Sequence, residues 1–154
     1  MKITLDTNVL VSAFISKRGH PAHLLDLLLT FPELELVLSE PILNELRSVM
    51  SRQEVRERFN YAISDVEELV GNLEKVAICI QIKSNHKVVK EDPKDDVIVN
   101  TAYDGKVDFI VSGDKHLLKL KIFKGVKIVS PRRMMKIIAE RFGEIIILKD
   151  IVEE

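Results

Sequence analysis

Leu5-Asp6-Thr7-Asn8-Val9-Leu10-Val11-Ser12-Ala13 is the stretch whose reading decides the fold. It continues a short β-type run, Lys2-Ile3-Thr4-Leu5, and passes through Thr7-Asn8 into a helix-like apolar segment that reaches Ile15. Asp6 therefore stands where a strand hands over to a helix. In an open α/β sheet, that is the edge where ligands bind. A lone acid there is either a helix cap or half of a site, so the rest of the chain must supply partners.

The chain has 154 residues, 46% of them apolar, and a formal net charge of −1. That length and composition suit one globular domain over residues 1–154 with a real core. The balanced charge gives no bulk attraction to nucleic acid or membrane, so a polyanion would need a local basic patch. Cys79 is the single cysteine, which rules out an intrachain disulfide and suits a reducing, cytoplasmic setting. Within Val76-Ala77-Ile78-Cys79-Ile80 it reads as a buried, inert thiol. No apolar stretch is long enough to span a bilayer, and Ile3–Ile15 lacks the cleavage site of a signal peptide.

Outward from the opening, helical and strand patterns alternate. Pro21 opens a helix carrying Leu24, Leu25, Leu27 and Leu28, and 33–38 reads as a strand. Ser39 is placed to cap a helix whose stripe is Ile42, Leu43, Leu46, Val49 and Met50. Glu45 lies about 40° outside that stripe, at its margin. A charged exposed helix over 51–61 follows. Ser64-Asp65-Val66-Glu67 fits a capping box ahead of the amphipathic run to Val76. The pattern then predicts a strand over 77–82, a polar loop over 83–94, and a helix buried through Val97, Ile98, Thr101 and Ala102. On that helix Asp95 projects about 20° from Ala102 while Asp96 points nearly opposite, so geometry prefers Asp95 as the inward acid. Strand 107–111 leads through Ser112-Gly113 to Asp114, which suits the cap of a short helix. Strand 126–129 is followed by a helix from Pro131, and 144–151 reads as a strand-like tail.

Such alternation argues for a parallel, helix-covered sheet in which every strand ends on one edge. Asp6 and Asp114 follow strands, Asp95 opens a helix, and Glu45 sits in a helix's second turn. All four can converge there. Crowded carboxylates raise one another's pKa unless a cation joins them. Hard ions such as Mg²⁺ or Mn²⁺ choose oxygen ligands and often bridge to phosphate, and such a site can drive in-line displacement at a phosphodiester. Other chemistry lacks support. His20 and His23 have no further zinc-spaced partner, and there is no P-loop and no nucleophile elbow.

At this point the residues resemble the PIN-domain family. Besides 5–13, its motifs are matched by Ser39-Glu40-Pro41-Ile42-Leu43-Asn44-Glu45-Leu46, by Asp92-Pro93-Lys94-Asp95-Asp96 with Thr101-Ala102, and by Asp108-Phe109-Ile110-Val111-Ser112-Gly113-Asp114-Lys115-His116-Leu117-Leu118. Val129-Ser130-Pro131 matches the closing strand and helix start. The likeness spans about residues 2–138 in the family's order. It implies a three-layer α/β/α sandwich with a mainly parallel central sheet, and cleavage of RNA that depends on Mg²⁺ or Mn²⁺. Carried over, Asp6, Glu45, Asp95 and Asp114 are the acidic site, with Asp96 the rival third ligand and Asn8 and Ser112 as supporting polar groups. Many small members are toxins of the VapC type, so the likeness also implies a small antitoxin partner and a homodimer.

Lys17, Arg18, Lys115, Lys119, Lys121, Lys124, Lys127, Arg132 and Arg133 are the cations available for RNA. A haloacid-dehalogenase-type phosphatase needs a second acid two residues after the first, where this chain has Asn8. A non-catalytic RNA- or protein-binding module of the same fold, and an RNA-processing nuclease without an antitoxin, stand as alternatives.

Overall fold

The computed structural model describes residues 1–90 and 92–153, with side chains for 1–90 and 92–143. Strand β1 (Lys2–Leu5) lies inside a six-stranded sheet. On one side β1 pairs in parallel with β2 (Glu35–Ser39), which in turn pairs in parallel with the edge strand β3 (Ile78–Ile80). On the other side come β4 (Phe109–Val111) and β6 (Val126–Val129), also parallel, and β5 (Ile122–Phe123) closes that edge antiparallel to β6. The sheet order is β3-β2-β1-β4-β6-β5.

Consecutive residues of the central strands point to opposite faces, yet Ile3, Thr4 and Leu5 are all fully buried, as are Leu36, Val37 and Leu38. Both faces of the sheet are thus covered, which is why these strands read as continuous apolar runs. The covering helices are α1 (Thr7–Ile15), α2 (His20–Thr30), α3 (Glu40–Met50), α4 (Gln53–Phe59), α5 (Ile63–Val76), α6 (Asp95–Asp104), α7 (Lys115–Leu120) and α8 (Pro131–Glu153). None of the described helices is long and apolar enough to cross a membrane. At the end of α6, Gly105 packs so tightly that an added Cβ would lie 2.6 Å from Val37 Cγ1, so the turn into β4 has no room for a side chain.

Several local expectations change. The run at 144–151 is no strand but part of α8. Its isoleucines favour β structure, but Gly143 alone costs a helix only about 1 kcal/mol, and no proline stops it. Strand 77–82 shrinks to β3, and because β3 has a neighbour on one side only, Cys79 is exposed rather than buried. Ser39 occupies the N-cap position of α3 without capping it. Its hydroxyl instead meets Thr101 Oγ1 at 2.8 Å. The expected capping box at Ser64 is displaced: α5 begins at Ile63, and Asp65 accepts a hydrogen bond from the Ala62 N–H at 2.8 Å.

Candidate metal centre

Register builds this site. Leu5 is level with Val111, and Val111 with Val129. The ladder continues one step past the strands, with the Asp6 N–H donating to Val111 O at 2.9 Å and the Ser112 N–H to Val129 O at 3.0 Å. Asp6 and Ser112 are therefore held side by side at the carboxyl edge of the sheet. Asp6 stands at the N-cap of α1, but its carboxylate does no capping. Asp6 Oδ2 accepts from the Ser112 hydroxyl at 2.7 Å, and that hydroxyl oxygen accepts from the Asp114 N–H at 2.9 Å. A fully buried serine thus ties the two acids together.

Asp114 caps α7, its Oδ1 accepting from the N–H groups of His116 at 2.7 Å and Leu117 at 3.3 Å. Asp95 enters from the first turn of α6 and is only 7% exposed. Its Oδ2 is buried and has no hydrogen-bond partner among the described residues. Asp92, just ahead of α6, accepts from the Lys94 N–H at 3.1 Å. Carboxylate oxygens of Asp92, Asp95 and Asp114 lie within 4.8 Å of one another. Glu45, half-buried on α3, accepts from the Thr7 hydroxyl at 3.1 Å.

The electrostatics follow from this crowding. Burial, then the charges of Asp114, Asp6, Asp92 and Glu45, push the Asp95 carboxyl up to about 7. Burial also raises Asp6, opposed by the Ser112 hydrogen bond and reinforced by Glu45 and Asp114. Neither ion pair among the described residues touches these acids, since both join Arg47 to Glu67 or Glu74. The donor set is oxygen throughout, with one buried oxygen left unpartnered. It fits a hard divalent ion such as Mg²⁺ or Mn²⁺, and not a soft one.

The expected site residues separate here. Asp6, Glu45, Asp95, Asp114 and Ser112 meet at one edge, with Asp92, Asp95 and Asp114 the closest group and Asp6 and Glu45 outside it. Asp96 turns away, its Oδ1 accepting from the N–H groups of Val88 and Val89, both at 2.9 Å. Asn8 is exposed and its side chain makes no hydrogen bond among the described residues, while its neighbour Thr7 holds Glu45. Two contributors go unassigned on sequence grounds, Thr7 and Asp92. The signal for Asp92 was its three-residue spacing from Asp95 across a helix start. The basic residues divide as well. Lys115 follows Asp114, and Arg132 and Arg133 begin α8 on the acid edge, whereas Lys124 sits in the β5–β6 turn at the opposite edge.

A helix-covered, mainly parallel sheet with a cluster of carboxylates at its carboxyl edge defines the class. A model of the PIN domain matches residues 2–116, and the chain belongs to that family. An uncharacterized protein of Methanocaldococcus jannaschii is 30% identical over 122 residues, 79% of this chain and 76% of the relative. Among solved structures the chain is similar to VapBC2 from Rickettsia felis bound to a DNA fragment from their promoter. The TM-score is 0.58 at 16% identity, covering 84% of this chain and 98% of that one, a likeness of fold.

Proposed function

We propose that this protein is a Mg²⁺- or Mn²⁺-dependent endoribonuclease, acting in the cytoplasm as the toxin of a toxin–antitoxin pair. The observation that carries the nuclease reading is the unpartnered, buried Oδ2 of Asp95 amid acids that form no ion pair with a cation among the described residues. An anion so placed is costly unless a positive charge joins it. When bound, a divalent ion supplies an acidified water and stabilises phosphodiester charge during in-line displacement. Asp6, Asp95 and Asp114 would hold it, and Ser112 links Asp6 to the Asp114 backbone. Glu45, held by Thr7 and near enough for its charge to act on Asp6 and Asp95, would take a proton from the attacking water. Lys115, Arg132 and Arg133 meet the RNA backbone beside the acids, giving affinity that falls as salt rises.

Membership of the PIN-domain family supports the nuclease assignment. The toxin role, with a small antitoxin and a homodimer, is supported more distantly by the VapBC2-like fold. Single-stranded RNA incubated with protein free of contaminating nuclease tests the chemistry. Cleavage should stop with EDTA and return with Mn²⁺, and it should be absent in Asp6→Asn and Asp114→Asn. Full cleavage by either variant refutes the mechanism. Growth arrest on induction, relieved by Asp95→Asn, tests the toxin role.

A further inference from the structure

After β3, residues 81–90 have no regular secondary structure, yet 83–89 are tied down by hydrogen bonds to α6. Three side chains spaced four apart on one stripe of α6 hold it. Asp104 accepts from the N–H groups of Lys83 at 2.7 Å and Ser84 at 2.8 Å, and from the Ser84 hydroxyl at 2.5 Å. Asn100 accepts from the His86 N–H at 2.9 Å and donates to the His86 carbonyl at 3.0 Å. Asp96 accepts from Val88 and Val89. The pairing advances two residues along the strap for each four along the helix. Two extended residues cover about 6.6 Å and four helical residues about 6.0 Å, so the two spacings match and the strap runs antiparallel to α6. The His86 ring packs edge-on against Tyr103 and Phe123, and Val89 is buried. This ladder ends three residues before Asp92.

We infer that Asp92 is a fifth acid of the metal centre, sharing a divalent cation with Asp95 and Asp114, and that Asp96 is the positioning residue that sets its place. The inference rests on the metal-centre reading above and deepens it. Three observations carry it. The carboxylate oxygens of Asp92, Asp95 and Asp114 already lie within 4.8 Å of one another. Asp95 itself is only 7% exposed, and its Oδ2 is buried without a hydrogen-bond partner among the described residues. And the strap is fixed at Val88 and Val89, three residues before Asp92, by hydrogen bonds from the same helix that carries Asp95.

The test is Mn²⁺ binding by the full chain, followed by electron paramagnetic resonance, with thermal unfolding in EDTA confirming that each variant folds. Wild type should bind, and Asp92→Asn should bind about tenfold or more weakly, as loss of one ligand charge predicts. Asp96→Ala should weaken binding by about tenfold, Asp96→Asn should restore most of it by keeping a carbonyl acceptor, and Asp96→Ala should add nothing in the Asp92→Asn background. Unchanged Mn²⁺ affinity in Asp92→Asn alongside lost binding in Asp95→Asn overturns this inference and leaves the metal centre standing. Equal effects of Asp96→Ala with and without Asp92 overturn the positioning role. No Mn²⁺ binding by wild type overturns both readings.

Discussion

Asp95 and Asp96 are neighbours in sequence and opposites in the structure. Asp95 lies on the inner side of α6, buried among four other acids, with one oxygen unpartnered and its carboxyl pushed up to about 7. Asp96 lies on the outer stripe, and its charge is spent on two backbone N–H groups. Asp104, two turns further along that stripe, shows the outer chemistry most clearly. Burial raises its carboxyl, but hydrogen bonds from Ser84 and Lys83 outweigh it and hold the group below its usual value. Helical rotation of about 100° per residue separates the two faces. The outer carboxylates meet only donors, whereas Asp95 faces other carboxylates and keeps one buried oxygen unpartnered among the described residues.

The largest effect that bears on this contrast is catalytic. Asp95→Asn should reduce metal-dependent RNA cleavage by about a thousandfold or more, the loss expected when several kcal/mol of charge stabilisation disappears. Asp104→Asn, on the outer stripe, should leave cleavage within about tenfold of wild type. A gel assay with labelled RNA reads both, and equal losses would erase the distinction between the faces.

A smaller effect concerns a polar group on the inner face that did find a partner. The Thr101 hydroxyl donates to Val97 O at 2.7 Å, so the Ser39 hydroxyl donates to Thr101 across 2.8 Å of buried space. Ser39→Ala should cost about 1–3 kcal/mol by stranding its partner. The double variant Ser39→Ala/Thr101→Val should cost less than the sum of the two single changes, as urea unfolding would show.

The smallest effect is the pH dependence of the metal-free protein. The Asp95 carboxyl is raised in the folded state, so the folded form binds more protons than the unfolded one between about pH 4 and 7, and stability falls as pH rises through that window. Asp104 works in the opposite sense. Its contribution is present above the ordinary carboxylate pKa and is lost as pH falls through the lower folded value. In EDTA, Asp95→Asn should flatten the decline toward pH 7, and saturating Mn²⁺ should do the same for wild type. A decline that persists in Asp95→Asn would assign it to another group.

Much of this contrast was legible in the sequence, and the reasons are physical. Strand ends and helix starts fix which acids share an edge, so Asp6, Glu45, Asp95 and Asp114 emerged from topology. The helical wheel separated Asp95 from Asp96, and the structure keeps them apart as the wheel required. What stayed hidden depends on long-range geometry. The strap residues carry no periodic signal, because their partners Asp96, Asn100 and Asp104 lie on another element. Cys79 looked buried because an apolar run does not distinguish a central strand from an edge strand. Asn8 looked like a site residue and Thr7 did not, since the turn into α1 decides which of the two faces Glu45.

Calorimetric titration of Mn²⁺ into metal-free protein tests most directly whether the crowded acids hold a divalent ion. With the Asp95 carboxyl near 7, binding at pH 6.5 should expel a proton, and the measured heat should vary with the ionisation enthalpy of the buffer. At pH 8.5 that dependence should largely vanish, and Asp95→Asn should neither bind tightly nor release a proton. Absence of binding at both pH values, or equal binding by Asp95→Asn, would contradict the account.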